Sequence, residues 1–220
     1  MQQKPKVPLP VLIAFPVALA IFGGMVLMVA GAAMGGGSGG HTHDSAAPPS
    51  QIKPHVYDPP KDIADFTLTD QDGRPFRLSD ANGKVRLIYI GYTHCPDICP
   101  TTLINFKDVR KQLGAQAGQV AFVMVTADPD ADTPPVMKEF VRAFDPTFIG
   151  LSGSKSELET VWVEFGAQVQ READPGSPAG YSVTHPSSVY VLGKDGRLAM
   201  KIPYGRTPAD MADDVRGLLQ

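Results

Sequence analysis

Two cysteines, Cys95 and Cys99, are all that the 220 residues contain. A four-thiolate zinc site or a cysteine-ligated iron–sulfur cluster therefore cannot form within one chain. Lysine and arginine total 20 against 23 acidic residues, and no dense basic stripe is visible. The electrostatic footprint of a nucleic-acid binder is missing, and no nucleic acid is expected as a partner. There is no glycine-rich phosphate loop, HExxH, EF-hand pattern or GxSxG elbow, and no internal repeat. Charged residues at 20% and apolar ones at 43% exclude both wholesale disorder and a highly charged binding surface.

The longest apolar stretch lies near the N-terminus. Residues 11–34 are 24 apolar or small residues, interrupted by Pro16, Gly23, Gly24 and Gly31. As a helix they exceed the roughly 30 Å hydrocarbon core of a bilayer. Lys4 and Lys6 precede the stretch and no charge follows until Asp44, which predicts an N-inside, C-outside orientation. On this reading residues 1–10 are a cytoplasmic segment and 11–34 a single-pass anchor in the lipid of the cell membrane. The remainder then lies on the extracytoplasmic side. The alternative is a cleaved signal ending near Ala30, Gly31 and Ala32, although the apolar core is longer than the usual 7 to 15 or so residues. Both readings export the domain.

Residues 35–60 are rich in Gly, Ser, Ala and Pro, without a sustained apolar period, and read as a flexible tether. His41 and His43, beside Asp44, form an HxHD group that could catch a metal transiently. The surrounding glycines make a preformed site there entropically costly, so a solvated linker is the simpler reading.

One folded domain is expected over 61–220. Apolar alternation at Phe66, Leu68, Phe76 and Leu78 around Asp72-Gly73 predicts an N-terminal hairpin. A buried strand over 85–92 leads into a helix over 101–116, followed by a second buried strand over 120–126. Thr133-Pro134 opens the next helix, 148–151 reads as a short strand, and Ser154 with Glu157 opens a helix to about 168. Residues 171–182 read as an excursion or hairpin. A hairpin over 189–204 and a last helix from Thr207-Pro208 close the chain, giving one mixed α/β layer structure.

The chemistry concentrates where the first central strand turns into its helix. Cys95 and Cys99 are four residues apart, so their thiols can converge across about one turn. A helix N-terminus supplies free N–H groups and a positive dipole end, both favouring thiolate. Such a pair can exchange electrons as a dithiol and disulfide, bind a soft metal such as Cu(I), or form an inert structural disulfide. The residues alone leave all three readings open. His185, at a loop edge before the 189–192 strand, is the candidate third ligand. His94 adjoins Cys95, and neighbouring side chains diverge, so it reads as a packing or supporting group.

The run Gly91-Tyr92-Thr93-His94-Cys95-Pro96-Asp97-Ile98-Cys99-Pro100 closely resembles the signature of the SCO/SenC family. Asp128-Pro129-Asp130-Ala131-Asp132-Thr133-Pro134 and Val183-Thr184-His185 are similar to two further family segments. The resemblance implies a thioredoxin-like fold, a central mixed sheet flanked by helices. It implies copper, as Cu(I) or Cu(II), held by Cys95, Cys99 and His185, with Asp128, His94 and Asp97 supporting the site. The implied role is a membrane-tethered chaperone that takes copper from a donor protein and delivers it to the CuA-bearing subunit of cytochrome c oxidase. The alternative is a thiol-disulfide oxidoreductase in which Cys95 and Cys99 reduce the oxidase cysteines without carrying copper. Pro186 departs from the small polar residue more usual after the histidine. The roles of Tyr92 and Phe148, core or docking, stay open.

Overall fold

The computed structural model describes residues 51–220. The expected segments 1–10 and 11–34, most of the tether, and His41 and His43 lie outside the described residues. Among the described residues, no helix is long and apolar enough to cross a membrane.

The two near-continuous apolar runs of the sequence form the centre of the sheet. Val85–Gly91 (β4) and Val120–Thr126 (β5) are buried at every position and pair in parallel. Strands covered on both faces need no polar alternation, which is why these segments read as unbroken apolar runs. Ile149–Ser152 (β6) extends the parallel part beyond β5. Val189–Leu192 (β9) runs antiparallel along the other side of β4, followed by Leu198–Ile202 (β10).

The hairpin expected around Asp72-Gly73 is Thr67–Asp70 (β2) with Pro75–Arg77 (β3). It joins the same sheet through β2 and β6 rather than standing apart. The folded region also starts earlier than the expected residue 61. His55–Lys61 (β1) pairs antiparallel with β10 and completes an eight-stranded sheet in the order β1-β10-β9-β4-β5-β6-β2-β3. The tether reading failed at this end because β1 is an edge strand. It carries Pro59 and Pro60 and buries little, features that an edge tolerates and a central strand does not.

Among the described residues, four α-helices flank the sheet. Ile98–Leu113 (α1) begins three residues before the expected position, which brings Cys99 into its first turn. Its buried side chains, Cys99, Thr102, Leu103, Phe106, Val109 and Leu113, recur at helical spacing. Pro134–Phe144 (α2) packs near α1 and β6, and Lys155–Glu164 (α3) starts from the Ser154–Glu157 capping box. The third helix stops short of residue 168 because Gly166, at φ +61°, turns the chain out of it. Pro208–Gly217 (α4) packs against α1.

Phe148, 2% exposed, stacks among Phe106 and Phe122 with ring centroids at 6.1 and 5.3 Å, so it is a core residue. The excursion forms a separate two-stranded sheet, Gln170–Ala173 (β7) with Tyr181–Thr184 (β8). His185 follows β8 directly.

Candidate metal centre

β4 delivers the chain to Gly91, residues 92–97 cross over, and α1 begins at Ile98. Cys95 lies in the crossover and Cys99 one turn on, and both are buried free thiols. β8 brings His185 to them across 86 residues of sequence. Each residue's ligand atom lies within 4.8 Å of the other two, and Cys99 Sγ is 3.6 Å from His185 Nε2. The close approach depends on Gly91. A Cβ there would stand 2.8 Å from Cys99 Sγ and 2.6 Å from Tyr89 Cε1, inside any normal contact.

The imidazole is held on three sides. Its edges meet Tyr89 and Tyr92, with ring centroids 5.9 and 5.5 Å away. Its Nδ1 lies 3.1 Å from the carbonyl oxygen of Pro186. A carbonyl can only accept, so Nδ1 carries the proton and the Nε2 lone pair faces the sulfurs. Pro186, which departs from the family pattern, thus leaves the backbone acceptor in place.

The two thiols differ. A hydrogen bond from Cys99 lowers the Cys95 pKa against the cost of burial, with further help from the backbone N–H groups of Asp97 and Cys99. Burial pushes the Cys99 thiol up, and its bond to Cys95 reinforces that direction. The tyrosine hydroxyl of Tyr89 also donates to Cys99 Sγ, at 3.4 Å. The two shifts describe one shared proton: Cys95 is the thiolate and Cys99 the thiol that donates to it. Two soft sulfurs and one neutral imidazole nitrogen form a donor set suited to Cu(I).

The predicted supporting residues divide. Asp97 occupies the cap position of α1, but its side chain caps nothing; its contribution is the backbone N–H toward Cys95. His94 is exposed, with Nδ1 3.2 Å from the Thr93 hydroxyl, and is not drawn to the sulfurs. It lines an open cavity of about 500 Å³ with Pro96, Asp130, Arg171 and Tyr181. Asp128 is buried but touches none of the three ligands. It accepts from the Tyr181 hydroxyl at 2.5 Å and from Arg171 at 3.5 Å, holding the hairpin that carries His185.

Four contributors escaped the sequence reading of the site. Tyr89 and Tyr92 were legible as apolar core, and nothing local marks them as walls for a histidine. Thr126 ends the expected 120–126 strand and Asp132 lies within the segment similar to the family's, and neither was singled out. Asp132 is fully buried, which raises its pKa.

Comparison with known proteins places the chain by sequence and by fold. The SCO1/SenC family model matches residues 56–220. An SCO2-like protein of Rickettsia felis is 32% identical over 153 residues, 70% of this chain and 75% of its own length. The structure of Bradyrhizobium japonicum ScoI with copper bound superposes with a TM-score of 0.65 at 34% identity, over 71% of this chain and 99% of that one. BsSco, described as a Sco-family cytochrome c oxidase assembly protein with a disulfide switch, matches with a TM-score of 0.59 at 28% identity, over 76% and 96%.

Proposed function

This chain belongs to the SCO1/SenC family, and we propose that its centre carries copper as cargo for assembly of cytochrome c oxidase. In this reading Cys95, Cys99 and His185 take copper from a donor protein and pass it to the CuA-bearing subunit. The observation that carries the reading is the convergence of two reduced thiols and a lone-pair-bearing Nε2 within 4.8 Å. Three protein ligands leave room for an incoming ligand, so copper can pass through shared coordination instead of being released free. A tether at the membrane face would raise the effective concentration of the domain near an oxidase in the same bilayer.

Oxidation gates loading. A Cys95–Cys99 disulfide removes both sulfur ligands, so the reduced protein should bind Cu(I) tightly and the oxidised protein weakly. Chelator competition on the two forms tests this; equal affinity would overturn it.

A second reading rests on the unequal thiols. The Cys95 thiolate can attack a disulfide in the recipient, forming a mixed disulfide and releasing one recipient thiolate. Cys99, losing its proton, then displaces the second, which leaves a Cys95–Cys99 disulfide and a recipient dithiol. Two electrons pass to the recipient. The reading predicts reduction of a recipient disulfide with copper absent and His185→Ala tolerated.

A further inference from the structure

The thiol loop and the His185 hairpin come from distant parts of the chain, and away from the ligands themselves a run of hydrogen bonds joins them. Asp132 accepts from the Thr93 amide at 3.1 Å, from the Thr93 hydroxyl at 2.6 Å and from the Thr126 hydroxyl at 2.6 Å. The Thr126 proton is thereby committed to Asp132, and its oxygen accepts the Asp128 amide N–H at 2.8 Å. The Asp128 carboxylate accepts the Tyr181 hydroxyl at 2.5 Å. Thr93 stands two residues before Cys95 and Tyr181 four before His185.

The run is buried where it matters: Asp132 is 0% exposed, Thr126 0% and Asp128 2%. Among the described residues no Lys or Arg pairs with Asp132. A buried carboxylate without a cation is expensive, and its three donors make it tolerable only in this one arrangement. An apolar residue would fill the same space without that cost. What the carboxylate adds is directional: it fixes where the Thr93 end and the Thr126 end of the site lie relative to each other. One outer contact braces the hairpin end: Arg171 lies 3.7 Å over the Tyr181 ring.

We propose that Asp132, acting through Thr126 and Asp128, is a positioning residue that sets the distance between the thiol loop and the His185 hairpin. The ligands are thereby registered before copper arrives. The inference rests on the copper reading above. It assigns to the Thr126 hydroxyl the side-chain link between the two acidic residues, beside the backbone bond from the Asp132 N–H to the Asp128 carbonyl oxygen at 2.9 Å.

The test uses Thr126→Val, which keeps the shape and removes the hydroxyl, Thr126→Ser, which restores it, and Tyr181→Phe on the half-buried hairpin. Each is made with and without His185→Ala, and Cu(I) affinity of the reduced protein is read by chelator competition. In the parent, His185→Ala should lower affinity by about tenfold or more. In Thr126→Val and Tyr181→Phe its further effect should shrink to about threefold or less, the non-additivity expected of coupled residues. Thr126→Ser should behave as the parent.

A metal-free readout separates this inference from the reading it rests on. The His185 ring protons sit between the Tyr89 and Tyr92 rings, so their NMR shifts report its seating. They should move in Thr126→Val and Tyr181→Phe and return in Thr126→Ser. A full His185→Ala penalty in every background, with unmoved His185 shifts, would overturn the positioning role. Weak binding in the parent would instead sink the copper reading, and the metal-free shifts would still decide the positioning claim.

Discussion

The Nδ1 of His185 lies 3.1 Å from the carbonyl oxygen of Pro186, its immediate neighbour in the chain. That contact selects the tautomer whose Nε2 lone pair points to Cys99 Sγ, 3.6 Å away. The orienting group is backbone, so the side chain at 186 is free to vary. Pro186→Ala should therefore keep Cu(I) affinity close to the parent's and avoid the roughly 10–100-fold loss typical when a ligand's hydrogen-bond partner is deleted. Chelator competition checks this, and a drop of that size would show that the proline ring itself sets the loop.

The inequality of the thiols predicts how the reduced protein responds to pH. The Cys95 pKa lies below the ordinary thiol value, so Cys95 stays thiolate as pH falls through neutrality. Its alkylation rate should be nearly flat between about pH 8.5 and 6, where an unperturbed thiol of pKa about 8.5 slows tenfold per unit. Cys99 should remain unmodified. The stability sign follows: the Cys95 contribution is fully present above the unfolded thiol value and is lost as pH falls toward the lowered folded one. Mass spectrometry of iodoacetamide-treated protein across that range measures the first effect. A tenfold fall per unit at Cys95 would contradict the assignment.

Gly91 is set by contact with the site and not by backbone conformation. A methyl group there meets Cys99 Sγ at 2.8 Å and the Tyr89 ring at 2.6 Å. Gly91→Ala should cost about 1–3 kcal/mol of stability, the usual cost of overpacking a filled core. Displacement of Cys99 Sγ should also weaken Cu(I) binding. Urea unfolding measures the first effect and chelator competition the second.

The legible parts of the fold were those whose causes are local. Asp72-Gly73 marks a turn, Ser154 and Glu157 cap a helix, and the unbroken apolar run of β5 reads as a buried strand. Cys95 and Cys99 were legible as a pair because four residues across a strand-to-helix turn bring thiols together. His185 was a lone loop histidine on its own residues, and the family resemblance singled it out. The 85 intervening residues carry no local sign of the meeting. β1 was missed because an edge strand with two prolines looks like a linker. Asp132 was missed because burial of an acid is decided by what packs over it, and no pattern around it announces that cover.

The account's central claim is that one copper site is built from these three side chains. It is tested most directly by titrating the reduced protein with Cu(I) against a calibrated chelator, beside Cys95→Ser and His185→Ala. The account predicts one tight equivalent, abolished in Cys95→Ser and weakened at least about tenfold in His185→Ala, since loss of a direct ligand should cost no less than loss of its hydrogen-bond partner. Weak binding in the parent, unchanged by either substitution, would contradict it and leave thiol exchange as the function of the pair.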